Sequence, residues 1–274
     1  MINFIILLRK YTNRILGNYW LFLGKIVRKF LKKNILIKHS IKKIGPYGPF
    51  KMNPEHLFSN LEEWGHGHNN GFVHYVEESK KKKCILDIGA HVGFTVLPVS
   101  KYSLNNQANI FAFEPSSENF KALNRNISLN NLKNIITENC VVGSCEADKV
   151  FFYETNDISA TSSIINDSSR RFIRNEKKQT SIDNYCKVKK IKPDLIKIDV
   201  EGSEIEVLKG AKETMLNCKP LIFLSVHPQE IRKLGYSQID LLDIFKEVNY
   251  EITNIDGSQV NRFEYIEYIL KPIS

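Results

Sequence analysis

The feature that most constrains the fold is a regular alternation of short apolar runs with helix-like segments, which begins at residue 83. Short apolar runs bounded by turn residues are typical of buried strands. Strands that alternate with helices pair in parallel through right-handed crossovers. The stretches that we interpret as containing the core strands are 84–88, 109–113, 135–142, 194–200 and 220–226. The alternation predicts an α/β protein with a mostly parallel sheet and helices on both faces.

The end of the chain departs from this alternation. Two further apolar runs, 250–255 and 264–270, have too few residues between them for a crossover helix. They can therefore pair only antiparallel or lie apart. With them, the predicted sheet has seven strands. A separate stretch, 149–154, alternates only poorly between apolar and polar residues and is interpreted as a β-hairpin arm.

The strand-ending residues are polar and point to a binding site. In parallel sheets, ligands bind beyond the carboxyl ends of the strands, at the switch point of the strand order. The polar side chains at the ends of the five predicted core strands are Asp87, Glu114, Asn139, Asp199 and His227. One such residue would mean little, whereas five together predict a site at this edge of the sheet.

The turn after the first strand restricts the ligand. A dinucleotide site has G-x-G-x-x-G, but here Gly89 and Gly93 enclose GAHVG, with His91 at the middle position. The pyrophosphate-binding pattern is therefore broken, and the Walker pattern is absent. Asp87 suits a cationic ligand, and Glu114 suits a ribose, because a carboxylate can accept two hydroxyl hydrogen bonds. A cation, an amino-acid tail and a ribose together describe S-adenosylmethionine.

Three blocks of the sequence, taken together, indicate a protein family. LDIGAHVGF, FAFEPSSENFKALNRNISLNN and DLIKIDVEGSEIEVLKGAK, in this order within residues 84–227, resemble the FkbM family of S-adenosylmethionine-dependent methyltransferases. The resemblance implies the Rossmann-like fold of class I methyltransferases. It also implies methylation of a hydroxyl on a sugar, a glycolipid or another small metabolite.

The resemblance implies cofactor roles at three strand ends. It places Asp87, Gly89, Ala90 and Gly93 at the methionine end of the cofactor. It places Glu114 at the ribose, and Asn139 and Cys140 near the adenine. The family's fifth strand often ends in Glu-x-His, whereas this chain has Ser225, Val226 and His227.

Methyl transfer to a hydroxyl needs a proton acceptor, and Asp199, Glu201 and His227 are the candidates. For His227, whose ordinary pKa is near 6.5, a loop residue that only caps the next helix is the alternative. Lys197 should share a sheet face with Asp199, because it lies two residues earlier in the strand.

Two further predictions concern the neighbourhood of these residues. Ser203 and Glu206 have the spacing of a capping box for a single helix to Met215, with Glu204 and Glu206 compensating the helix dipole. No metal site is required by the sequence, and two alternatives stay open, a metal held by the histidines of residues 66–74 and a magnesium ion that bridges Asp199 and the substrate diol. The histidines of the stretch 64–74, His66, His68 and His74, are interpreted as solvated.

Charge divides the chain into a basic extension, residues 1–50, and a methyltransferase domain, residues 51–274. Residues 1–54 carry twelve Lys or Arg and no acid, so the other 220 residues net −3 of the chain's +9. The basic segment mixes aromatic and aliphatic residues with Lys and Arg. This pattern fits a helix on an anionic membrane surface, or alternatively one packed on the domain. The acidic domain makes nucleic acid an unexpected partner.

The cysteines indicate the cellular compartment of the protein. Five scattered cysteines without a C-x-x-C pair indicate a reducing, cytoplasmic setting, with the inner membrane face as an alternative.

Three other functions stay open at this point. They are a non-catalytic membrane-associated scaffold with this fold, a nicotinamide oxidoreductase, which the broken glycine pattern disfavours, and a methyltransferase acting on RNA or protein.

Overall fold

The computed structural model describes residues 39–56, 59–103, 107–154 and 173–273. The chain divides into two compact units, Met1–Glu63 and Trp64–Ser274. Residues 1–38, most of the predicted basic extension, lie outside the described part. The predicted boundary at residue 50 falls inside a strand, because β2 covers Tyr47–Met52.

The described part of the first unit is built on a β-hairpin. β1 (Ser40–Ile44) pairs antiparallel with β2, and a short 3-10 turn, Pro54–His56, follows. Ile44, Phe50 and Met52 are buried. Alternation of buried and exposed residues is the expected pattern for strands with one solvated face.

The second unit is built on a seven-stranded sheet, and the structure confirms the predicted fold class. Its strands in chain order are β3 (Cys84–Ile88), β4 (Asn109–Phe113), β5 (Ile135–Glu138), β9 (Leu195–Ile198), β10 (Leu221–Ser225), β11 (Tyr250–Thr253) and β12 (Glu267–Pro272). Their spatial order is β11-β12-β10-β9-β3-β4-β5. The strands from β10 to β5 are parallel, and the last two pair antiparallel, as predicted.

Eight helices connect these strands within the described residues. They are α1 (Phe72–Ser79), α2 (Val96–Ser103), α3 (Ser117–Leu129), α4 (Ile182–Lys189), α5 (Glu204–Lys209), α6 (Lys212–Cys218), α7 (Pro228–Lys233) and α8 (Gln238–Glu247). Ser116 caps α3 by accepting from the Asn119 N–H. The helices place the ends of β3, β4 and β9 side by side at the point where the strand order reverses.

A second sheet of three strands, β6-β8-β7, carries the predicted arm. β7 (Ala147–Glu154) pairs antiparallel with β8 (Ile173–Thr180), and β6 (Val141–Val142) pairs parallel with β8. The sequence did not identify β8, because its central letters NEKKQ carry no apolar alternation. Phe152, a residue of β7, is buried.

The predicted helix from Ser203 to Met215 is wrong in two respects. It is broken into α5 and α6 at Gly210, where a Cβ would lie 2.1 Å from the Gly143 carbonyl oxygen. Two backbone segments approach closely at this break, and only glycine fits there. Ser203 makes no side-chain cap. The capping box lies instead at Ser237 and Asp240, at the start of α8.

No helix in the described ranges is both long enough and apolar enough to span a bilayer.

Candidate active site

A pocket of about 350 Å³ opens at the carboxyl ends of β4, β3 and β9. This volume lies in the range of about 300–1,000 Å³ that is typical of small-molecule sites. Aromatic side chains supply much of its apolar lining: Trp64, Phe94, Phe113, Phe152 and Tyr265. Its charged residues are Glu114, Lys197, Asp199 and Glu201.

The turn after β3 depends on glycine for close packing. Gly89 has φ +89°, and a Cβ there would lie 1.8 Å from the Asp199 carbonyl oxygen. The N–H groups of Gly89 and Ala90 both donate to the Phe113 carbonyl oxygen at 2.9 Å. Gly89 and Ala90 line the pocket, whereas Gly93 does not. The glycine therefore lets the end of β9 approach the turn, which closes one wall of the pocket.

Asp87 is the last residue but one of β3 and is not among the residues that line the pocket. Its carboxylate is buried, and neither oxygen has a hydrogen-bond partner among the described residues. Burial raises the pKa of Asp87 to about 6, although Lys197, opposite it on β9, pulls it down. The Asp87 carboxylate therefore lies next to Lys197 on the neighbouring strand.

Glu114 ends β4 and faces the pocket. One oxygen accepts from the His91 N–H at 2.8 Å and the other from the Ser116 N–H at 2.9 Å. Burial raises the pKa of Glu114 to about 7, against these hydrogen bonds and a third from Asn119. The carboxylate is thus fixed in orientation, and of its roughly four lone-pair sites one, on Oε2, is left to accept from a ligand.

The two residues predicted near the adenine differ in their surroundings. Cys140 lines the pocket, and Asn139 does not. The Asn139 amide donates to the carbonyl oxygens of Glu114 and Pro115, so it braces the end of β4.

Lys197 connects the carboxylates at the other side of the pocket. Its Nζ lies 2.8 Å from Asp199 Oδ2 and 3.8 Å from Glu267 Oε1. Burial would lower the pKa of Lys197, but Asp199, Glu267 and Asp87 hold it above its ordinary value. Burial would raise the pKa of Asp199, but Lys197 holds it well below its usual range. The predicted shared face of Lys197 and Asp199 is therefore present as an ion pair.

His227 is fully buried at the end of β10, next to the pocket rather than in its lining. Its Nδ1 lies 2.5 Å from Glu204 Oε1, and its Nε2 faces Glu201 Oε2 at 3.5 Å and Asp199 Oδ1 at 3.7 Å. Burial would lower the pKa of His227, but Glu204 and the other carboxylates raise it to about 9. As the first residue before α7 it makes no side-chain cap, contrary to the capping alternative.

Glu201 reaches the pocket from a strained backbone. Its φ is +52°, a conformation that side-chain-bearing residues adopt uncommonly and that is often found at functional sites. Burial raises the pKa of Glu201 to about 7, against the pull of His227. The structure thus places the carboxylates of Asp199 and Glu201 each within 4 Å of the His227 imidazole.

Three residues of this site were missed by the sequence. Glu204 is fully buried against His227, so the prediction that it only compensates a helix dipole is wrong. His68 stacks on Tyr265 with 3.9 Å between ring centroids, and its Nε2 lies 3.7 Å from Asp199 Oδ1. Glu267 accepts from the Gly71 N–H at 2.8 Å and so ties the His68 segment to β12. Of these three residues, only His68 lies in a stretch that is unusual in the sequence, the polar run GHNN.

The parallel sheet, its switch-point pocket and the glycine turn define a class I methyltransferase-like α/β fold. The model of the family described as "Methyltransferase FkbM domain" matches residues 87–252, and the chain belongs to that family. This confirms the predicted resemblance and the methyltransferase class, with S-adenosylmethionine as the cofactor of the domain.

Two curated relatives are similar to this chain. Methyltransferase sdnD of Sordaria araneosa is 29% identical over an alignment of 160 residues, and the match covers 47% of this chain and 60% of that protein. Hexuronic acid methyltransferase AglP of Haloferax volcanii is 26% identical over an alignment of 164 residues, and the match covers 58% of this chain and 64% of that protein. The matches thus span less than two thirds of these relatives.

Among solved structures, an FkbM methyltransferase from Methylobacillus flagellatus KT aligns with a TM-score of 0.46 at 19% identity. The alignment covers 70% of this chain and 44% of that one.

Proposed function

We propose that the protein transfers a methyl group from S-adenosylmethionine to a hydroxyl of a sugar, a glycolipid or another small metabolite. The observation that carries the proposal is the placement of Glu114 and the Asp199–Glu201 pair in one pocket. A ribose acceptor and a proton acceptor then flank the same space, as methylation of a hydroxyl requires. The relative AglP, named a hexuronic acid methyltransferase, supports a carbohydrate acceptor.

The chain's residues fit the cofactor. When bound, S-adenosylmethionine supplies a methyl group on a positively charged sulfur, which an acceptor oxygen can attack. The fixed carboxylate of Glu114 can accept from one ribose hydroxyl at its remaining lone-pair site, and from the second when that hydroxyl replaces the Asn119 amide, which lies at 3.3 Å. Gly89 and Ala90 bring backbone close to the methionine end, with Gly93 completing the turn. Cys140 lies on the adenine side, where Asn139 braces the strand end.

Asp87 acts in this proposal through its charge. Its carboxylate is buried near the turn that follows β3, and it has no hydrogen-bond partner among the described residues. A negative charge in a poorly solvated position favours a nearby cation more strongly than one in water does. We therefore expect Asp87→Ala to abolish cofactor binding in calorimetry while the far-ultraviolet spectrum stays that of the folded domain.

Glu201 is the residue that we assign as proton acceptor. Asp199 is held by Lys197 at 2.8 Å, and His227 does not line the pocket. Glu201 lines the pocket, with its side chain 26% exposed. Asp199 and His227 orient Glu201 and the acceptor. Aligning the reactants can supply about 7–11 kcal/mol of the barrier, and the base adds about 10²–10⁴-fold.

The test is a transfer screen with S-adenosylmethionine that carries tritium in its methyl group. Sugar nucleotides, uronic acids, glycolipids and a total lipid extract serve as acceptors. We expect label in a carbohydrate or glycolipid fraction that survives mild base, because methyl ethers resist it and methyl esters do not. Label in RNA or protein, or base-labile label, would contradict a hydroxyl acceptor. Absence of both transfer and cofactor binding would favour the scaffold alternative.

We also propose that residues 1–50 bring the domain to the cytoplasmic surface of an anionic membrane. Twelve basic and no acidic residues within 1–54 support this proposal. Full-length protein should sediment with anionic liposomes at low salt and be released by high salt. Protein that stays in solution at low salt would contradict it.

A further inference from the structure

Three side chains from distant segments converge beside the pocket. His68 comes from the 3-10 turn Gly67–Asn69, Asp199 follows β9, and His227 follows β10. One nitrogen or carboxylate oxygen from each lies within 4.8 Å of the other two. Asp199 Oδ1 is 3.7 Å from the Nε2 atoms of both histidines.

These spacings are too long for good hydrogen bonds and suit a shared ion. Hydrogen bonds from nitrogen to oxygen measure about 2.7–3.2 Å. Ligands at about 2.0–2.2 Å from a tetrahedral zinc ion lie about 3.4 Å apart. Closing the remaining gap requires a shift of the His68 ring, which is 17% exposed and stacks on Tyr265.

The surroundings of His227 are those of a metal-binding histidine. The buried Glu204 carboxylate lies 2.5 Å from Nδ1 and fixes the hydrogen on that nitrogen. In the neutral ring, which is the form that binds a metal, Nε2 is then left with a free lone pair directed at Asp199. It is buried and has no hydrogen-bond partner among the described residues. Metal-bound histidines commonly donate their other ring N–H to a carboxylate in this way.

We propose that His68, Asp199 and His227 bind one divalent transition-metal ion, with Zn²⁺ the expected ion. Two imidazoles with one carboxylate suit zinc and its first-row neighbours, whereas Mg²⁺ and Ca²⁺ take oxygen ligands. Three protein ligands leave a position open, as in catalytic zinc sites. Glu201 Oε2, 3.5 Å from His227 Nε2, lies beside that position.

The ion's role rests on the proposed function, although its binding does not. A divalent ion acts as a Lewis acid and lowers the pKa of a hydroxyl that it contacts. The acceptor hydroxyl would give its proton to the Glu201 carboxylate, and its oxygen would use the freed electron pair to bond the methyl carbon. The sulfur–methyl bond would break at the same time, with its electron pair kept by the sulfur of the departing S-adenosylhomocysteine. The ion is not consumed and changes no oxidation state.

Metal titration of the full chain, purified without a polyhistidine tag and treated with a chelator, tests the proposal. We expect calorimetry with ZnCl₂ to show one ion per chain, and Co²⁺ to give visible absorption bands of a low-coordinate site. His68→Ala should weaken binding at least about tenfold, and Glu204→Gln by about 10–100-fold, the usual cost of losing an outer partner. His66→Ala and His74→Ala are the controls, because both side chains are exposed. These controls should bind as the wild type does.

The proposal is overturned if the wild-type chain binds no stoichiometric ion, or if His68→Ala and Glu204→Gln bind it unchanged. His68 is only partly buried, so its variant gives a result even if Glu204→Gln unfolds. Calorimetry with S-adenosylmethionine on the same samples separates the two proposals. A chain that binds cofactor but no ion refutes the metal site alone. One that binds the ion but no cofactor refutes the proposed function alone.

Discussion

His227 Nδ1 and Glu204 Oε1 lie 2.5 Å apart, and neither side chain is exposed to solvent. The same Glu204 oxygen accepts from the Gly202 N–H at 3.0 Å. Glu204 therefore joins the start of α5, the turn after β9 and the end of β10. This pair holds the imidazole with Nε2 toward Asp199 and Glu201.

Removing the Glu204 carboxylate should destabilise the domain. Glu204→Ala leaves a buried imidazole without its partner, and loss of one member of a buried ion pair costs about 3–5 kcal/mol. Urea denaturation followed by circular dichroism measures the change in unfolding free energy. Glu213→Ala, an exposed acid in the first turn of α6, is the matched control and should change it by less than about 0.5 kcal/mol. Equal effects of the two variants would contradict the buried pair.

Gly89→Ala should be far more damaging than an alanine at another glycine of similar backbone conformation. Gly89 and Gly257 have φ of +89° and +84°, so both substitutions carry the strain of positive φ, about 1–2 kcal/mol. Only at Gly89 would the new Cβ meet the Asp199 carbonyl oxygen, at 1.8 Å, whereas Gly257 faces open space. We expect Gly89→Ala to fold poorly or to lose at least about 2 kcal/mol more than Gly257→Ala in urea melts. Similar losses would show that close packing does not explain the glycine.

Cofactor affinity should fall on the acid side of neutral pH. The pKa of Glu114 is raised to about 7, and Glu154 contributes to the rise, so the carboxylate is the main form only above that pH. Protonation removes acceptor capacity for the ribose hydroxyls, which predicts up to about tenfold weaker binding per pH unit below 7. Calorimetry of Glu114→Gln should show weaker binding that no longer falls between pH 7 and about 6, below which protonation of Asp87 also weakens binding. Glu118→Gln, a half-buried acid of the first turn of α3 outside the pocket lining, should keep the wild-type trend. A flat profile in the wild type would argue against Glu114 as the ribose acceptor.

Loss of the proposed base should slow turnover without weakening substrate binding. Glu201→Gln keeps the shape of the side chain but cannot accept the proton, so kcat should fall by about 10²–10⁴-fold. The acceptor identified in the transfer screen provides the assay, and KM should change little. Glu251→Gln, an exposed residue of β11, should retain wild-type kcat. Unchanged kcat in Glu201→Gln would remove Glu201 from the mechanism.

The sheet was predictable because its strands are locally encoded. Runs such as CILDI and NIFAF are mostly apolar, and the structure places β3 and β4 on the residues expected. Glu114, Asp199 and Glu201 could be assigned to the site for a related reason, since each follows such a strand. The break in the helix at Gly210 could not be predicted, because the Gly143 carbonyl that packs against it comes from 67 residues earlier in the chain.

The remaining parts of the site depend on contacts between distant segments. His68 reaches Asp199 across more than 130 residues, and the Gly71 N–H reaches Glu267 across 196. No local pattern distinguishes His68 from the exposed His66 and His74. Glu204 looks like any acid in a first helical turn, and only its packing against His227 shows that it is buried.

The most direct test of the account is a crystal structure of the protein with S-adenosylhomocysteine. We predict that the ligand occupies the pocket at the ends of β4, β3 and β9, with both ribose hydroxyls within about 2.5–3.0 Å of the Glu114 carboxylate oxygens. Its sulfur should face the side of the pocket formed by Asp199 and Glu201. A ligand bound elsewhere, or a ribose that does not contact Glu114, would contradict the assignment.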